Sequence, residues 1–250
     1  MEKLSVTIIT KNEESRLADA LLSVSFADEV VVVDCGSADR TVEIARGSGA
    51  KVIHHDWPGH VAQKNFAVEQ ASHRWILSLD ADERVSPELA ERVRATLRAP
   101  DAAGYRVRRR AWYLSRWIEH CGWYPDARVR LFDRERARWG GIDPHDRVEV
   151  DGPVGTLDAD LLHYSYDDLA DHARTINSFT TIAARRYFEL GRRCRARDLV
   201  FRPPLAFLNK FVLKRGFLDG LPGLVVCLLH GYYVLLKYAK LWELAHARKA

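Results

Sequence analysis

The first hundred residues alternate short apolar runs with segments in which apolar residues recur at helical spacing. Four runs rich in Val, Ile and Leu predict strands, at residues 5–10, 29–34, 51–54 and 74–79. Helical spacing follows each run, over residues 12–24, 37–45 and 60–70 and onward from residue 86. Strand–helix alternation at this interval predicts an α/β fold with a doubly wound, mostly parallel sheet.

The second half of the chain has a different pattern. Residues 105–113 have strand character, residues 167–191 have helical spacing, and Pro203-Pro204 marks the beginning of another segment. A very apolar stretch follows, over residues 207–242. We therefore predict an α/β domain over residues 1–166 and a helical extension over residues 167–250.

Charge is distributed unevenly between these two parts. The formal net charge is only +4, yet residues 192–250 carry twelve Lys/Arg against three Asp/Glu. The remainder of the chain is therefore net acidic. The overall composition, 47% hydrophobic and 29% charged, excludes disordered and fibrous classes. An acidic front and a basic, apolar tail predict chemistry in the first part and attachment to an anionic partner in the second.

Polar residues follow the predicted strands at the point where each ends. Thr10 and Asp34 end the first and second strands, and Asp80-Ala81-Asp82 follows the fourth. Ligands bind beyond the carboxyl ends of the strands in such sheets. The two carboxylates suit Mg²⁺ or Mn²⁺ on a nucleotide diphosphate, although an isolated Asp-x-Asp also occurs by chance.

The loops after the first two strands exclude two common nucleotide sites. Neither loop has the GxGxxG pattern or the Walker sequence, which disfavours dinucleotide binding and P-loop chemistry. Lys64 opens the third helix, where a lysine and a helix N-terminus can meet phosphate. Ser37 and Asp39 can equally serve as turn and cap residues.

Taken together, these residues resemble the inverting family 2 glycosyltransferases of GT-A fold. The matching segments, in the family's order, are Ser5–Glu14, Val33–Thr41, Gln63–Ala67 and Leu79–Glu83. The resemblance implies a nucleotide-sugar site with a divalent metal. Its nucleotide-sugar residues would be Thr10, Asn12, Glu13, Asp34, Ser37, Asp39, Lys64, Asn65, Asp80 and Ala81, and its metal residues Asp80, Asp82 and His163.

The second half is similar to a narrower branch, the bacterial lipopolysaccharide core β-1,4-glucosyltransferases. The segments that carry this resemblance are Gly122–Phe132, Pro144–Val148, Leu162–Tyr166, Lys214–Gly223 and Lys237–Trp242. It implies transfer of a hexose, with a UDP-sugar favoured as donor, to a glycolipid or lipopolysaccharide core acceptor with inversion at the anomeric carbon.

An inverting transferase needs a carboxylate that removes the acceptor's proton, and a raised pKa would suit that task. The candidates are Asp146, which we favour, and Asp126. Trp123, Arg128 and Arg130 are candidate contacts for the acceptor or a phosphate. For each of these residues a structural role in turns, ion pairs or the core of a smaller lobe remains open.

The C-terminal extension is predicted to attach to a membrane. Residues 221–236 carry no formal charge but are shorter than the roughly 20 residues of a spanning helix. Basic and aromatic flanks favour an in-plane element on anionic lipid. With four dispersed cysteines and no apolar signal core, the chain is predicted to be cytoplasmic, peripheral on the inner face of the membrane.

Three other function classes share some of these sequence features. A polyprenyl-phosphate sugar transferase would share the donor site. A nucleotidyltransferase would need a Gly-rich loop after the first strand, where this chain has Lys11–Glu14. A non-enzymatic binder of nucleic acid or of a membrane surface is the third alternative. We expect no nucleic-acid partner, because the acidic front would repel a phosphate backbone.

Overall fold

The computed structural model describes residues 2–142 and 145–246, so Pro144 of the predicted acceptor segment lies outside the described residues. The chain divides into two compact units. The first comprises residues 1–110 and 126–163, and the second residues 111–125 and 164–250. The predicted boundary at residue 166 separates a catalytic domain from an extension by function, and it stays a prediction.

The first unit is built on the predicted parallel strands. They lie side by side in the order β3-β2-β1-β4 and are parallel throughout. Their bounds are Leu4–Thr10 for β1, Glu29–Asp34 for β2, Lys51–His54 for β3 and Trp75–Asp80 for β4. The strands β1, β2 and β4 are almost wholly buried, as expected where helices cover both faces of a sheet. The predicted α/β fold is confirmed.

Four helices connect and cover these strands. They are α1 (Leu17–Ser23), α2 (Thr41–Gly47), α3 (His60–Glu69) and α4 (Pro87–Thr96). Ser86 caps α4, because its hydroxyl accepts a hydrogen bond from the Leu89 N–H at 3.1 Å. Helix α1 begins five residues later than the spacing predicted, since residues 12–14 are used in loop contacts with the segment after β2.

The sheet continues beyond β4 through strands in antiparallel pairs. Strand β8 pairs with β4 and with β6, and β11 pairs with the short strand β5. A separate hairpin, β9–β10, lies beside α3. The bounds are β5 Glu83–Val85, β6 Gly104–Tyr113, β7 Arg116–Ile118, β8 Asp126–Asp133, β9 Ala137–Ile142, β10 His145–Val150 and β11 Val154–His163.

The second unit is a helical assembly around one long helix. Helix α5 spans Leu169–Glu189, α6 spans Ala196–Leu208 and α7 spans Gly220–His246. A π-helical turn (Asn209–Leu213) and a 3₁₀ turn (Gly216–Asp219) join α6 to α7. Helix α7 packs against both α5 and α6.

One prediction for this region is corrected. Pro203 and Pro204 lie inside α6 and do not begin a new segment. The carbonyls that lose an N–H partner belong to Leu199 and Val200. From Gly220 onward the apolar stretch is one continuous helix, because Pro222 falls in its first turn, where the missing N–H has no helical partner to lose.

Candidate active site

The carboxyl ends of β1, β2 and β4 bring the predicted polar residues to one edge of the sheet. Thr10 lies opposite Asp34 in the β1–β2 pair, and Ile9 lies opposite Asp80 in the β1–β4 pair. Three strand ends that are distant in sequence therefore meet side by side. This is the edge at which doubly wound sheets bind ligands.

The loops after β1 and β2 are held together by reciprocal hydrogen bonds. The Asn12 N–H donates to the Ser37 hydroxyl at 2.8 Å, and the Asn12 side-chain oxygen accepts from the Ala38 N–H at 2.8 Å. Asn12 has a φ of 55°, a left-handed conformation that short polar residues tolerate better than others. The two loops therefore form one wall.

Neighbouring bonds extend this wall. The Glu13 N–H donates to the Thr41 hydroxyl at 2.7 Å, and the Glu14 N–H donates to Asp39 at 3.2 Å. Asp39 also accepts from the Thr41 N–H at the start of α2. Asp39 thus has the turn role that the sequence left open, while the N-cap position of α2 belongs to Arg40.

Asp34 is almost fully buried, with 4% of its surface exposed. Its carboxylate accepts from the Gly36 and Ser37 N–H groups at 2.9 and 3.0 Å and from the Ser37 hydroxyl. The carboxylate therefore shapes its own loop. The Thr10 hydroxyl oxygen nearby is buried, and among the described residues it has no hydrogen-bond partner.

Lys64 joins two of the predicted site residues. Its Nζ lies 2.9 Å from Asp80 Oδ1 and 2.7 Å from Asp146 Oδ2, and it sits over the Trp139 ring at 4.4 Å. Only 4% of Lys64 is exposed. The first carboxylate of the Asp-x-Asp motif and the favoured candidate base therefore share one buried cation.

Arg130 holds the other oxygen of Asp80. Its Nη2 lies 2.8 Å from Asp80 Oδ2 and 2.6 Å from Glu83 Oε1. Glu83 is fully buried, and it also accepts from the Asp80 N–H at 3.1 Å and pairs with Arg109 at 3.4 Å. Asp80 is thus oriented by two side-chain cations and, through its N–H, by Glu83.

The electrostatics of Asp80 follow from this geometry. Burial alone would raise the pKa of its carboxyl, but the positive charges of Lys64 and Arg130 outweigh burial and hold that pKa well below the ordinary value. Burial would likewise lower the pKa of Arg130, but Glu83 and Asp80 raise it. Both groups are therefore charged at every physiological pH.

Asp126 is drawn into the same network from β8. Its carboxylate accepts from Arg109 Nη2 at 2.8 Å and from Arg128 Nε at 2.8 Å. Burial acts to raise the pKa of Asp126, but the two arginines outweigh it and lower the pKa. The raised pKa expected of a catalytic base is therefore not found at Asp126.

The second carboxylate of the Asp-x-Asp motif has a different partner. Asp82 Oδ2 lies 3.2 Å from His163 Nε2, and both side chains are partly exposed. Among the described residues, no group of three or more His, Cys, Asp or Glu is arranged to hold a metal ion. A carboxylate and an imidazole nevertheless fit a divalent cation that takes its remaining ligands from a diphosphate and water.

The remaining predicted residues have other contacts. Both polar atoms of the Asn65 amide bond the backbone of Trp139, so that Asn65 fixes α3 to β9. Ala81 is buried in the core. Trp123 belongs to the second unit and packs there against Tyr113 at a centroid distance of 5.4 Å.

Sequence reasoning missed Glu83 and Arg109 as members of the network. Glu83 directly follows the Asp-x-Asp motif, and Arg109 lies in the predicted strand 105–113. The alternation of charge along β6 and β8 was the available signal. It did not show which arginines face inward, because that depends on the register between the two strands.

Comparison with known proteins gives a consistent result. Residues 5–149 match the family described as glycosyl transferase family 2. The lipopolysaccharide core biosynthesis glycosyltransferase LpsC of Rhizobium meliloti is 31% identical over 260 residues, covering 99% of this chain and 94% of that protein. An uncharacterized glycosyltransferase of Rickettsia typhi is 32% identical, covering 98% of this chain and 88% of that protein.

A solved structure shares the fold. Residues 1–349 of S. aureus TarS, in complex with UDP-GlcNAc, align with a TM-score of 0.51 at 15% identity. The alignment covers 96% of this chain and 90% of that one. The likeness bears out the GT-A fold expected from the sequence.

Proposed function

Since the chain belongs to glycosyl transferase family 2, we propose that it transfers a hexose from a UDP-sugar to a lipopolysaccharide core acceptor with inversion. The acceptor class is supported by LpsC, whose name describes lipopolysaccharide core biosynthesis. The observation that carries the proposal is Lys64, which lies within 3 Å of both the Asp-x-Asp carboxylate and the candidate base.

The donor site of this proposal uses the joined loops and the end of β4. Asn12, Glu13 and Asp34 border the nucleoside, and Asp82 with His163 would hold Mn²⁺ or Mg²⁺. A divalent ion there would neutralise charge on the departing diphosphate. Lys64 and Arg130 supply fixed positive charge at the same edge of the sheet, with no need to reorganise during the reaction.

Asp146 is the base in this proposal. Its carboxylate takes the proton of the acceptor hydroxyl while that oxygen forms a bond to the anomeric carbon. The bond from the anomeric carbon to the diphosphate breaks on the opposite face, so the centre inverts. Asp126 is the weaker candidate, because its lowered pKa makes it a poorer proton acceptor.

A thermal-shift panel tests the donor site. The protein is heated with UDP, GDP, ADP or CMP, with and without Mn²⁺, as wild type and as Asp82→Ala. A ligand that binds only the folded state adds about 2.7 kcal/mol at a hundredfold over its Kd. We expect stabilisation by UDP that depends on Mn²⁺ and is lost in the variant. The absence of a shift with every nucleotide would contradict the donor assignment.

Transfer assays test the base. Asp146→Asn should bind UDP as the wild type does and lose transfer by at least about a hundredfold, the usual range for a general base. Asp126→Asn is the matched comparison and should retain more activity. If Asp146→Asn transfers sugar to a hydroxyl acceptor at the normal rate, the assignment is wrong.

The same variant separates the two acceptor classes. A polyprenyl phosphate attacks through an oxygen that is already ionised and needs no base. Asp146→Asn would then keep its activity on the phosphate acceptor and lose it on a sugar hydroxyl. We expect the wild type to act only on the hydroxyl acceptor and Asp146→Asn to be inactive on both.

Localisation belongs to the proposal as well. We place the chain in the cytoplasm, with the extension 167–250 at the inner face of the membrane. Of the described residues, one helical segment, Gly216–His246, is long and apolar enough to cross a membrane by length and composition. A third of the most apolar 18-residue stretch of this segment is buried within the protein. Attachment in the membrane plane fits that burial better than spanning does.

A further inference from the structure

A band of exposed apolar side chains covers residues 200–221 in the second unit. Nine large apolar residues there are each between 48% and 73% exposed. These residues, which we term the apolar band, are Val200, Phe201, Leu205, Leu208, Val212, Leu213, Phe217, Leu218 and Leu221. A concentration of this kind marks an interaction surface on a soluble protein.

The spacing of the band on α6 is that of one helical face. Phe201, Leu205 and Leu208 are four and three residues apart, and Val212 follows four residues later in the π-helical turn. The stretch 221–236, which the sequence favoured for membrane contact, contributes to the interior. Val226 and Cys227 are buried there.

Close packing explains why one face of α7 lies in the interior. A Cβ atom on Gly223 would overlap the Gly216 carbonyl oxygen, and one on Gly231 would lie 3.3 Å from the Pro203 oxygen. The glycines thus let α7 approach the preceding turn and α6. Eight of the nine side chains of the apolar band belong to α6 and the two turns.

Within the segment 190–221, which carries the band, the exposed charges are all positive. The sequence has two acids between residues 190 and 221, Asp198 and Asp219. Both are buried: Asp198 accepts from Arg202 at 2.6 Å, and Asp219 accepts from the His120 N–H at 2.8 Å. The exposed cations of this segment are Arg192, Arg193, Arg195, Arg197, Arg202, Lys214 and Arg215.

We propose that the apolar band is the surface that docks on an anionic lipid bilayer, with the exposed cations on the headgroup phosphates. The inference deepens the proposed attachment to the inner membrane and replaces residues 221–236 with residues 200–221 as the inserting element. Exposed apolar residues beside cations, in a segment whose acids are buried, complement an anionic interface. A second copy of the chain is the less favourable occupant, because it would bring like charges together.

Vesicle co-sedimentation tests the proposal on the full chain. Vesicles of phosphatidylcholine, with and without phosphatidylglycerol, are compared for wild type and two triple variants. Phe201→Ser with Leu205→Ser and Leu213→Ser alters the band, whereas Leu228→Ser with Tyr232→Ser and Leu235→Ser alters the exposed face of α7. We expect the band variant to lose more than about tenfold in binding to the anionic vesicles and the α7 variant less than about twofold.

A double variant tests whether the exposed cations contribute to binding of anionic lipid. Arg197→Gln with Lys214→Gln should weaken binding to the anionic vesicles by about tenfold or more and leave weak binding to pure phosphatidylcholine unchanged. Equal binding of the wild type to both vesicle types would overturn the charge argument. Far-ultraviolet circular dichroism and the melting temperature confirm that each variant is folded.

The remaining outcomes distinguish this inference from those it rests on. Loss of binding in the α7 variant with normal binding in the band variant would overturn the band and keep membrane attachment. A wild type that ignores all vesicles would overturn both. A dimer that dissociates only in the band variant would assign the band to self-association. Transfer to a water-soluble acceptor reports on the glycosyltransferase proposal independently.

Discussion

Lys64 shows at the scale of one residue how this site is assembled. A lysine with 4% of its surface exposed is stable as a cation only when it is paired. Here it has two carboxylates within 3 Å and an indole face above it. Removing its charge therefore leaves Asp80 and Asp146 close together without the cation between them.

Lys64→Met, which keeps most of the side-chain volume, tests this arrangement. We expect the free energy of unfolding to fall by about 3 kcal/mol, the usual cost of breaking a buried pair. Transfer should fall by at least about a hundredfold, because pre-aligned charge is lost from the site. Denaturant unfolding and initial rates are the measurements. Lys3→Met, at an exposed position, is the control; an equal effect there would contradict the argument.

Glu83 is the residue-scale test of the arginine network. Glu83→Gln keeps the shape and an acceptor for the Asp80 N–H, and removes the charge that Arg130 and Arg109 share. We expect a loss of about 3 kcal/mol in the free energy of unfolding and a lower rate of transfer. The exposed Glu91→Gln should leave both unchanged. Normal stability of Glu83→Gln would mean that its charge is dispensable.

At the scale of elements, the helical spacing of apolar residues predicted which helices exist better than it predicted where each helix begins and ends. The helix predicted over residues 167–191 is α5, Leu169–Glu189, and its buried positions include His172 and Ile176. The next buried position is Thr180, while the more hydrophobic Phe179 is 43% exposed. The helix therefore presents a face slightly rotated from the one that hydrophobicity alone selected.

Two glycine substitutions test the packing of the elements. Gly223→Ala places a Cβ 2.7 Å from the Asp219 Cβ and against the Gly216 carbonyl, and should lower the free energy of unfolding by roughly 2 kcal/mol or more. Gly47→Ala, at the end of α2, meets no atom within 4 Å and should be neutral or stabilising by up to about 1 kcal/mol. Thermal and denaturant unfolding of both variants decide the matter; a tolerated Gly223→Ala would contradict the close approach.

At the scale of the whole molecule, stability should depend on pH through buried histidines. Burial of the His172 ring, 6% exposed, lowers its pKa to about 4. The unfolded chain takes up a proton near pH 6.5, which the folded chain resists until about pH 4. The contribution of His172 is therefore fully present above pH 6.5 and lost as the pH falls to 4.

We expect this loss to amount to roughly 3 kcal/mol for His172. His172→Gln should flatten the fall in the free energy of unfolding between pH 6.5 and 4. It should not abolish it, because burial also lowers the pKa of His230 to about 4. Asp80 and Asp126 have lowered pKa values and act at lower pH. The measurement is the denaturant midpoint at each pH from 4 to 7.5. If the midpoint of His172→Gln falls with pH as steeply as that of the wild type, the role given to His172 is wrong.

The sequence by itself determined the alternation of β1 to β4 with their helices and the edge at which Thr10, Asp34 and Asp80 meet. Both follow from local rules. The spacing of apolar residues determines whether a segment forms a strand or a helix, and parallel strands place their carboxyl ends at one edge of the sheet. The family could be identified from the same motifs, because the residues of each motif are contiguous and can be recognised without the tertiary structure.

Only the tertiary structure decided which charges are partners. Lys64 and Asp146 are 82 residues apart, and Arg130 and Glu83 are 47 apart. Their pairing depends on strand register and on how α3 and the β9–β10 hairpin pack, which no local pattern encodes. The exposure of the apolar band also depends on tertiary packing. Residues 221–236 carry no formal charge and are the more apolar of the two stretches. Only the packing of α7 against α5 and α6 leaves more large apolar side chains exposed in residues 200–221 than in residues 221–236.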